Sequence, residues 1–288
     1  MFSINHLVTD HNGPLTLTAG AARVDLYPEA GGRIGQITIG GRAVLRGPEH
    51  AADGWGRWGS FPMLPWTNRI AGGIARFDGA TFSLPVNWPD GSAIHGLVAE
   101  RPWHVVEAGP RHATLSIEVD VDRYHVRSVQ TFALTAEAID LDIELVNLAG
   151  WRVPVGIGIH PWFVAKPIRV PADHVWGGSG PLPDGPPRPV RPDEDLRAKR
   201  IAPPMDRCFT SLTGSRAEIG DLTLSWRGPI TQVVVYRGDP EFICVEPCTM
   251  ANDGIRLAEE GIDGTGVIVL EPGDCVAVGY RFAWPRPG

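Results

Sequence analysis

Three short segments carry the side chains with which this chain could move protons. His160 closes an alternating glycine–isoleucine run and precedes a proline, which favours extended backbone at the histidine. His95 stands before a glycine, and Glu246 lies between a valine and a proline. A carboxylate among apolar neighbours is costly unless it is paired or used. One acid, one base and a further histidine therefore indicate proton-transfer chemistry.

A metal site is the competing interpretation of the two histidines. A third ligand would have to come from Glu246 or Asp206, and no HxH or HExxH spacing supports such a site. Taken singly, each histidine is more often a buried residue with satisfied hydrogen bonds. The cysteines match no zinc pattern and form no disulfide framework; they are Cys208, Cys244, Cys248 and Cys275. We therefore expect neither a metal nor a cofactor.

Polar and aromatic residues near these segments are candidates for ligand binding. Arg69 lies in an apolar, proline-stiffened stretch, where its fixed fork of donors needs a carboxylate or a polyhydroxyl ligand. Spacing alone slightly favours a structural salt bridge. Asp206 is a weaker candidate, since it also suits a turn or a cap. Six tryptophans nearby serve equally well for sugar stacking or for core packing: Trp55, Trp58, Trp66, Trp88, Trp103 and Trp162.

Composition excludes several classes of protein. The chain has 288 residues and a net charge of −7, which disfavours nucleic acid as a partner. It contains no run of about 18 apolar residues, so we expect no membrane span. Residues 1–6 lack the basic and apolar regions of a secretory signal. With no disulfide framework, these features favour a cytoplasmic protein.

Alternation of apolar and polar residues predicts β-strands. It recurs at residues 115–121, 139–145, 222–226 and 276–282. Helical periodicity is almost absent; residues 193–200 could form two turns, and Glu259 and Glu260 fall in another short candidate. Strands that follow one another without helices predict an antiparallel all-β fold. The proline-dense stretch 181–192 suits a surface loop better than an interdomain linker.

Five stretches occur in an order that resembles the aldose 1-epimerase (mutarotase) family. They are LPWTNRIAGGIARFDG at 64–79, AIHGLVAERPWHV at 93–105, GIGIHPWF at 156–163, MDRCFTSL at 205–212 and ICVEPCT at 243–249. The resemblance implies an all-β fold, a single large antiparallel β-sandwich spanning residues 1–288 as one domain. It also implies that the concave face of the sandwich holds a sugar.

The resemblance assigns roles by position. Glu246 matches the general base, His160 the general acid and His95 a second active-site histidine. Arg69 matches the arginine of an Asn-Arg motif, and Asp206 matches an aspartate that contacts sugar hydroxyls. Reference pKa values of about 4.3 for glutamate and 6.5 for histidine predict an ionised base and a partly protonated acid near neutrality.

Two departures from the family pattern fall on the expected pocket wall. Asn68 follows a threonine where many members have proline, and Trp162 stands where many have tyrosine. We expect both residues to contact the substrate and to influence which sugar is preferred.

The implied function is the interconversion of the α and β anomers of an aldose, by a monomer or a homodimer that binds a monosaccharide. One alternative is an epimerase of an anionic sugar, a hexose-6-phosphate or sulfoquinovose. That substrate needs an extra cation, for which Arg57, Arg101 and Arg207 are available. Another alternative is a non-catalytic carbohydrate-binding domain. A glycoside hydrolase is disfavoured, because it requires two carboxyl groups at the scissile bond.

Overall fold

The computed structural model describes residues 13–178 and 180–286. Residues 1–6, where the sequence shows no secretory signal, lie outside this part. Helices within it are short: α1 (Gly254–Glu259) and four 3-10 turns, at Pro28–Ala30, Pro48–Asp53, Trp55–Arg57 and Ala71–Gly73. No helix in the described ranges is long and apolar enough to cross a membrane.

Strands make up the rest of the regular structure. In chain order those within the described residues are β1 (Leu15–Ala19), β2 (Ala22–Tyr27), β3 (Arg33–Ile39), β4 (Arg42–Ala43), β5 (Ser60–Met63), β6 (Arg69–Ile70), β7 (Ile74–Phe77), β8 (Ala80–Ser83), β9 (Ala93–Ile94), β10 (His104–Ala108), β11 (His112–Val121), β12 (Tyr124–Leu134), β13 (Ala138–Asn147), β14 (Val153–Val155), β15 (Gly158–Val164), β16 (Ile168–Arg169), β17 (Ala172–Trp176), β18 (Pro187–Pro189), β19 (Met205–Leu212), β20 (Arg216–Ile219), β21 (Leu222–Arg227), β22 (Gln232–Arg237), β23 (Phe242–Cys248), β24 (Ile268–Leu270) and β25 (Cys275–Ala283).

Two large antiparallel sheets pack face to face. The first has the order β1-β2-β3-β5-β15-β23-β22-β19-β17-β18, with β4 beside β3, and the second has the order β10-β11-β12-β13-β25-β21-β20-β16. One hydrophobic cluster contains buried side chains from both. For example, the ring centroids of Phe163 in β15 and Phe282 in β25 lie 6.1 Å apart. The predicted antiparallel β-sandwich is confirmed.

The four alternating stretches form β11, β13, β21 and β25, all in the second sheet. Burial alternates over the predicted stretches of β11, β13 and β21, for example from His112 to Val119 in β11, and is interrupted in β25 at the buried Gly279. Apolar side chains face the first sheet and polar ones face solvent, which is the pattern from which the strands were predicted. The second sheet forms one layer of the sandwich, and the first sheet forms the other layer and carries the candidate site.

Several local predictions need correction. Residues 193–200 contain turns but no helix, whereas the second short helix is present as α1 and ends at Glu259. The proline-dense stretch is a surface segment whose middle, β18, pairs with β17 at the end of the first sheet. Proline suits that edge because it has no N–H group to donate to a further strand. That residues 1–288 form one domain stays a prediction.

His160 and Glu246 lie inside strands, whereas Asp206 lies near the start of one and His95 directly follows β9. His160 is the third residue of β15, Glu246 the fifth of β23 and Asp206 the second of β19. Strands β15 and β23 are neighbours near the middle of the first sheet. Extended backbone on both sides fixes the direction of each side chain, so the sheet positions the acid and the base.

Gly96 is a position where the fold requires glycine. Its φ is +80°, and a Cβ there would lie 2.0 Å from the carbonyl oxygen of Leu64. Gly91 has a similar φ of +85° but open space around it. The two positions therefore separate backbone strain from steric overlap.

We predict that Gly96→Ala destabilises the protein by about 3 kcal/mol or more, because overpacking adds to the left-handed strain. Gly91→Ala should cost only about 1–2 kcal/mol. Urea unfolding of the two variants measures the difference. Equal losses would show that Leu64 moves aside easily and that the close approach has no structural importance.

Candidate active site

His160 and Glu246 form a buried pair across two adjacent strands. Gly158 pairs with Cys248 and Trp162 with Cys244, which puts the histidine and the glutamate level with each other between these pairs. Nε2 of His160 lies 3.3 Å from Oε1 of Glu246. The histidine is 6% exposed and the glutamate 1% exposed. The fold thus brings together the two residues that the sequence assigns as acid and base, and their roles stay a prediction.

Burial changes the protonation expected from reference values. Loss of water lowers the pKa of His160 to about 3 and raises the pKa of Glu246 well above its usual value, because a charge is poorly solvated inside the protein. In the free site both shifts favour a neutral imidazole and a protonated carboxyl group. The pair then carries one shared proton, which both shifts place on Glu246.

His160 is held within a stack of aromatic rings. Phe61 stacks on it at 4.7 Å with an interplanar angle of 18°, and Trp162 stacks at 5.6 Å with an angle of 25°. The indole N–H of Trp162 donates to the carbonyl of Gly56 at 2.9 Å. These contacts fix the plane of the imidazole, so that one edge of the ring faces Glu246.

Arg33 supports this stack from within the protein and was missed by sequence reasoning. It is 1% exposed, and its guanidinium lies over the rings of Trp58 at 4.3 Å and Phe61 at 5.1 Å. Burial lowers its pKa to about 9. Its N–H groups donate to four backbone carbonyls, those of Ala30, Trp55, Trp58 and Ala99. Arg33 thereby ties the segment 54–58 to the sheet.

His95 lies in left-handed backbone beside the pair. Its φ is +61°, and its N–H donates to the carbonyl of Asn68, which has a φ of +50°. Left-handed non-glycine residues cluster at functional sites. The ring of His95 meets that of His160 edge-on at 4.8 Å, and burial together with His160 lowers the pKa of His95 well below its usual value. A neutral His95 can donate or accept at the cavity.

Arg69 has the carboxylate partner that its sequence context called for. It forms a 2.8 Å ion pair with Asp90 and lies 3.7 Å from Asp206. The side-chain oxygen of Asn68 accepts a hydrogen bond from its guanidinium at 3.2 Å. Burial raises the pKa of Asp206, an effect that Arg69 opposes. The salt bridge is therefore real, and the arginine also reaches the cavity.

All seven predicted site residues line one cavity of about 180 Å³. Five further residues complete its walls. The sequence offered Arg57 and Trp88 as ligand contacts and did not single out Gly56, Ile94 and Tyr236. Clefts of about 570 and 580 Å³ lie elsewhere on the described surface, but neither contains a histidine. The candidate acid and base therefore lie in the smaller cavity.

Three of the six tryptophans lie at the cavity and three pack in the core. Trp88 and Trp162 line the cavity, and Trp55 packs edge-on against His95 at 6.2 Å. The remaining three are buried packing residues, Trp58, Trp66 and Trp103.

The proline-dense stretch does not wall the cavity, since none of residues 181–192 lines it. Two of its backbone carbonyls instead accept hydrogen bonds outside the cavity. The carbonyl of Pro181 accepts one from the side chain of Asn252, and the carbonyl of Pro183 accepts one from Arg256 in α1. The segment is therefore fastened beside α1.

Comparison with known proteins places the chain in a family. The sequence profile of the aldose 1-epimerase family matches residues 14–177, more than half of the chain. The chain belongs to the aldose 1-epimerase family. Arg69, His95 and His160 fall within the matched region, whereas Asp206 and Glu246 follow it and reach the site through the fold.

Two uncharacterized proteins of Escherichia coli K12 are similar over part of their length. YihR is 32% identical over 109 residues, covering 36% of this chain and 35% of YihR. YphB is 30% identical over 121 residues, covering 40% of this chain and 41% of YphB. The matched stretches thus span well under half of either relative.

Two solved structures share this fold over nearly the whole chain. A candidate aldose 1-epimerase of E. coli K12 superimposes with a TM-score of 0.84 at 23% identity, covering 94% of this chain and 99% of the other. A galactose mutarotase-like protein of Clostridium acetobutylicum gives 0.80 at 17% identity, covering 94% and 95%. At these identities the likeness establishes the shared fold.

We predict that Glu246→Gln stabilises the protein increasingly as pH rises from 5 to 8. The folded-state pKa of Glu246 is raised above its unfolded value. The stability it contributes is therefore present below about pH 4.5 and is lost as pH rises through the folded pKa. Glutamine has no proton to lose. Urea unfolding of both proteins across this range measures the difference, and a constant difference would contradict the raised pKa.

Proposed function

We propose that the protein is a mutarotase that interconverts the α and β anomers of an aldose. The observation that carries this proposal is the buried His160–Glu246 pair, 3.3 Å apart, at the wall of a cavity with room for one sugar ring. Opening a cyclic hemiacetal requires one proton to leave the C1 hydroxyl and one to reach the ring oxygen. An adjacent acid and base meet both requirements.

Sugar binding sets the charge of the pair. In the reacting complex Glu246 is a carboxylate that accepts the C1 hydroxyl proton, and His160 is an imidazolium that donates to the ring oxygen. Transfer of the shared proton from Glu246 to His160 produces these forms. The C1 hydroxyl then donates to the new carboxylate and the ring oxygen accepts from the imidazolium, which replaces the solvation that burial removed.

The open aldehyde rotates about the C1–C2 bond and closes on its other face, with acid and base exchanging roles. His95 and Arg69 bind oxygens on which negative charge develops, and Asp206 accepts hydrogen bonds from sugar hydroxyls. Asn68 orients Arg69, and Trp162 packs against the sugar. Mutarotation also proceeds in water, so the barrier is moderate, and a positioned acid or base typically contributes about 10²–10⁴ in rate.

We predict that Glu246→Gln and His160→Gln each lower kcat by about 10²-fold or more while the protein stays folded. Exchange between anomers, measured by NMR, reports the rate. Glu241→Gln is the matched control, because Glu241 is an exposed glutamate just before β23. Near-normal turnover in either site variant would remove that residue from the mechanism.

An anionic sugar is the second candidate substrate, and Arg57 is the observation in its favour. Among the three arginines considered from sequence, Arg57 alone lines the cavity, and it has no ion-pair partner among the described residues. Arg207 instead lies 3.9 Å from Glu194. A phosphate or sulfonate group at the rim would supply Arg57 with a partner.

We predict that Arg57→Gln discriminates between neutral and anionic substrates. If the natural sugar is anionic, KM for that sugar should rise about 10-fold or more with little change in kcat, because the contact is equally strong in the ground and transition states. KM for a neutral aldose should stay the same. Equal KM values for wild type and variant with glucose-6-phosphate and sulfoquinovose would assign Arg57 no role in substrate choice.

A further inference from the structure

Three metal-binding side chains converge beneath the cavity. Cys244 precedes Glu246 by two residues on β23, so both side chains point to the same face of the strand. Cys244 pairs across the sheet with Trp162, next to His160. The ligand atoms of His160, Cys244 and Glu246 all lie within 4.8 Å of one another, and all three residues are buried.

Two of these side chains have atoms free to bind. Oε2 of Glu246 and Nδ1 of His160 are buried without a hydrogen-bond partner among the described residues. Buried polar atoms of this kind are uncommon and call for an explanation. Cys248 lies on the same face of β23, but its thiol already has a hydrogen-bond partner. It donates to the carbonyl of Met250 at 3.5 Å.

The geometry points to a latent zinc site formed by His160, Cys244 and Glu246. Imidazole nitrogen, thiolate sulfur and carboxylate oxygen are the donors that Zn²⁺ prefers. Bonds of about 2.0–2.3 Å in a tetrahedron place ligand atoms roughly 3.3–3.8 Å apart, so the side chains need to close by about 1 Å. A zinc ion with a thiolate and a carboxylate replaces two protons and leaves the net charge of the pocket unchanged.

The fourth zinc position faces the cavity, because His160 and Glu246 line it. A water molecule or a sugar hydroxyl would occupy that position. Zinc bound here coordinates both side chains that exchange protons with the sugar, so neither can act as acid or base. The ion is therefore an inhibitor that competes with the substrate and not a cofactor. This inhibitory role rests on the proposed function, whereas binding of the ion does not.

Cobalt binding tests the site without any activity measurement. Co²⁺ replaces zinc in tetrahedral sites and shows a thiolate-to-metal absorption band. The starting protein carries Cys275→Ser, which removes the exposed thiol. We expect one Co²⁺ per chain, the band, and its loss on addition of Zn²⁺. Cys244→Ser should abolish the band and weaken Co²⁺ binding by about 100-fold or more. That loss exceeds the usual effect of removing a residue that contacts only a metal ligand and not the metal itself.

Cys248→Ser is the matched control and should retain the band. Cys244→Ala provides a second test if the serine variant does not fold. No band in the starting protein, or a band that survives loss of Cys244, would overturn the inference.

An activity measurement separates this inference from the proposed function. Zn²⁺ should slow anomer exchange in the starting protein, with an apparent inhibition constant that rises as sugar is added. In Cys244→Ser, inhibition should need about 100-fold more zinc. Cobalt binding by a protein without mutarotase activity would support the metal site and contradict the proposed function. Mutarotase activity in a protein that does not bind cobalt would support the proposed function and contradict the metal site.

Discussion

The central constraint on this structure is that a carboxyl group and an imidazole lie together inside a β-sheet. Glu246 and His160 lie on adjacent antiparallel strands, both nearly inaccessible to water. Such burial opposes charge on either group, as the raised pKa of Glu246 and the lowered pKa of His160 show. Proton transfer within the pair avoids a net change in charge. A site of this kind is costly to the folded protein but suits a reaction that moves one proton onto a sugar and removes another.

The surrounding fold holds the buried pair in place. The second sheet packs behind β15, and the ring stack of Phe61, His160 and Trp162 fixes the imidazole. Arg33, satisfied by backbone carbonyls, connects this stack to segment 54–58. Left-handed backbone at His95 brings a second histidine against the first. The apolar core thus stabilises an arrangement of polar groups that is unfavourable by itself.

The sequence predicts the β-sandwich and the candidate acid and base residues because both leave local signals in the sequence. Alternation identifies strands such as β11 and β13, and apolar neighbours mark Glu246 as an unusual carboxylate. Arg33 gives no such signal, because its carbonyl partners and its stacking on Phe61 arise only when distant segments pack together. Tyr236 is likewise an ordinary strand residue until folding places it at the cavity. The shifted pKa values also depend on burial, which local spacing does not show.

The most direct test of the central claim is NMR exchange between α and β anomers at equilibrium, with and without the wild-type protein. The panel should contain glucose, galactose, glucose-6-phosphate and sulfoquinovose. The account predicts accelerated exchange for at least one of these sugars, with no added metal or cofactor. Sugar binding by folded protein without any acceleration would contradict it, and would show that the buried pair belongs to a carbohydrate-binding domain.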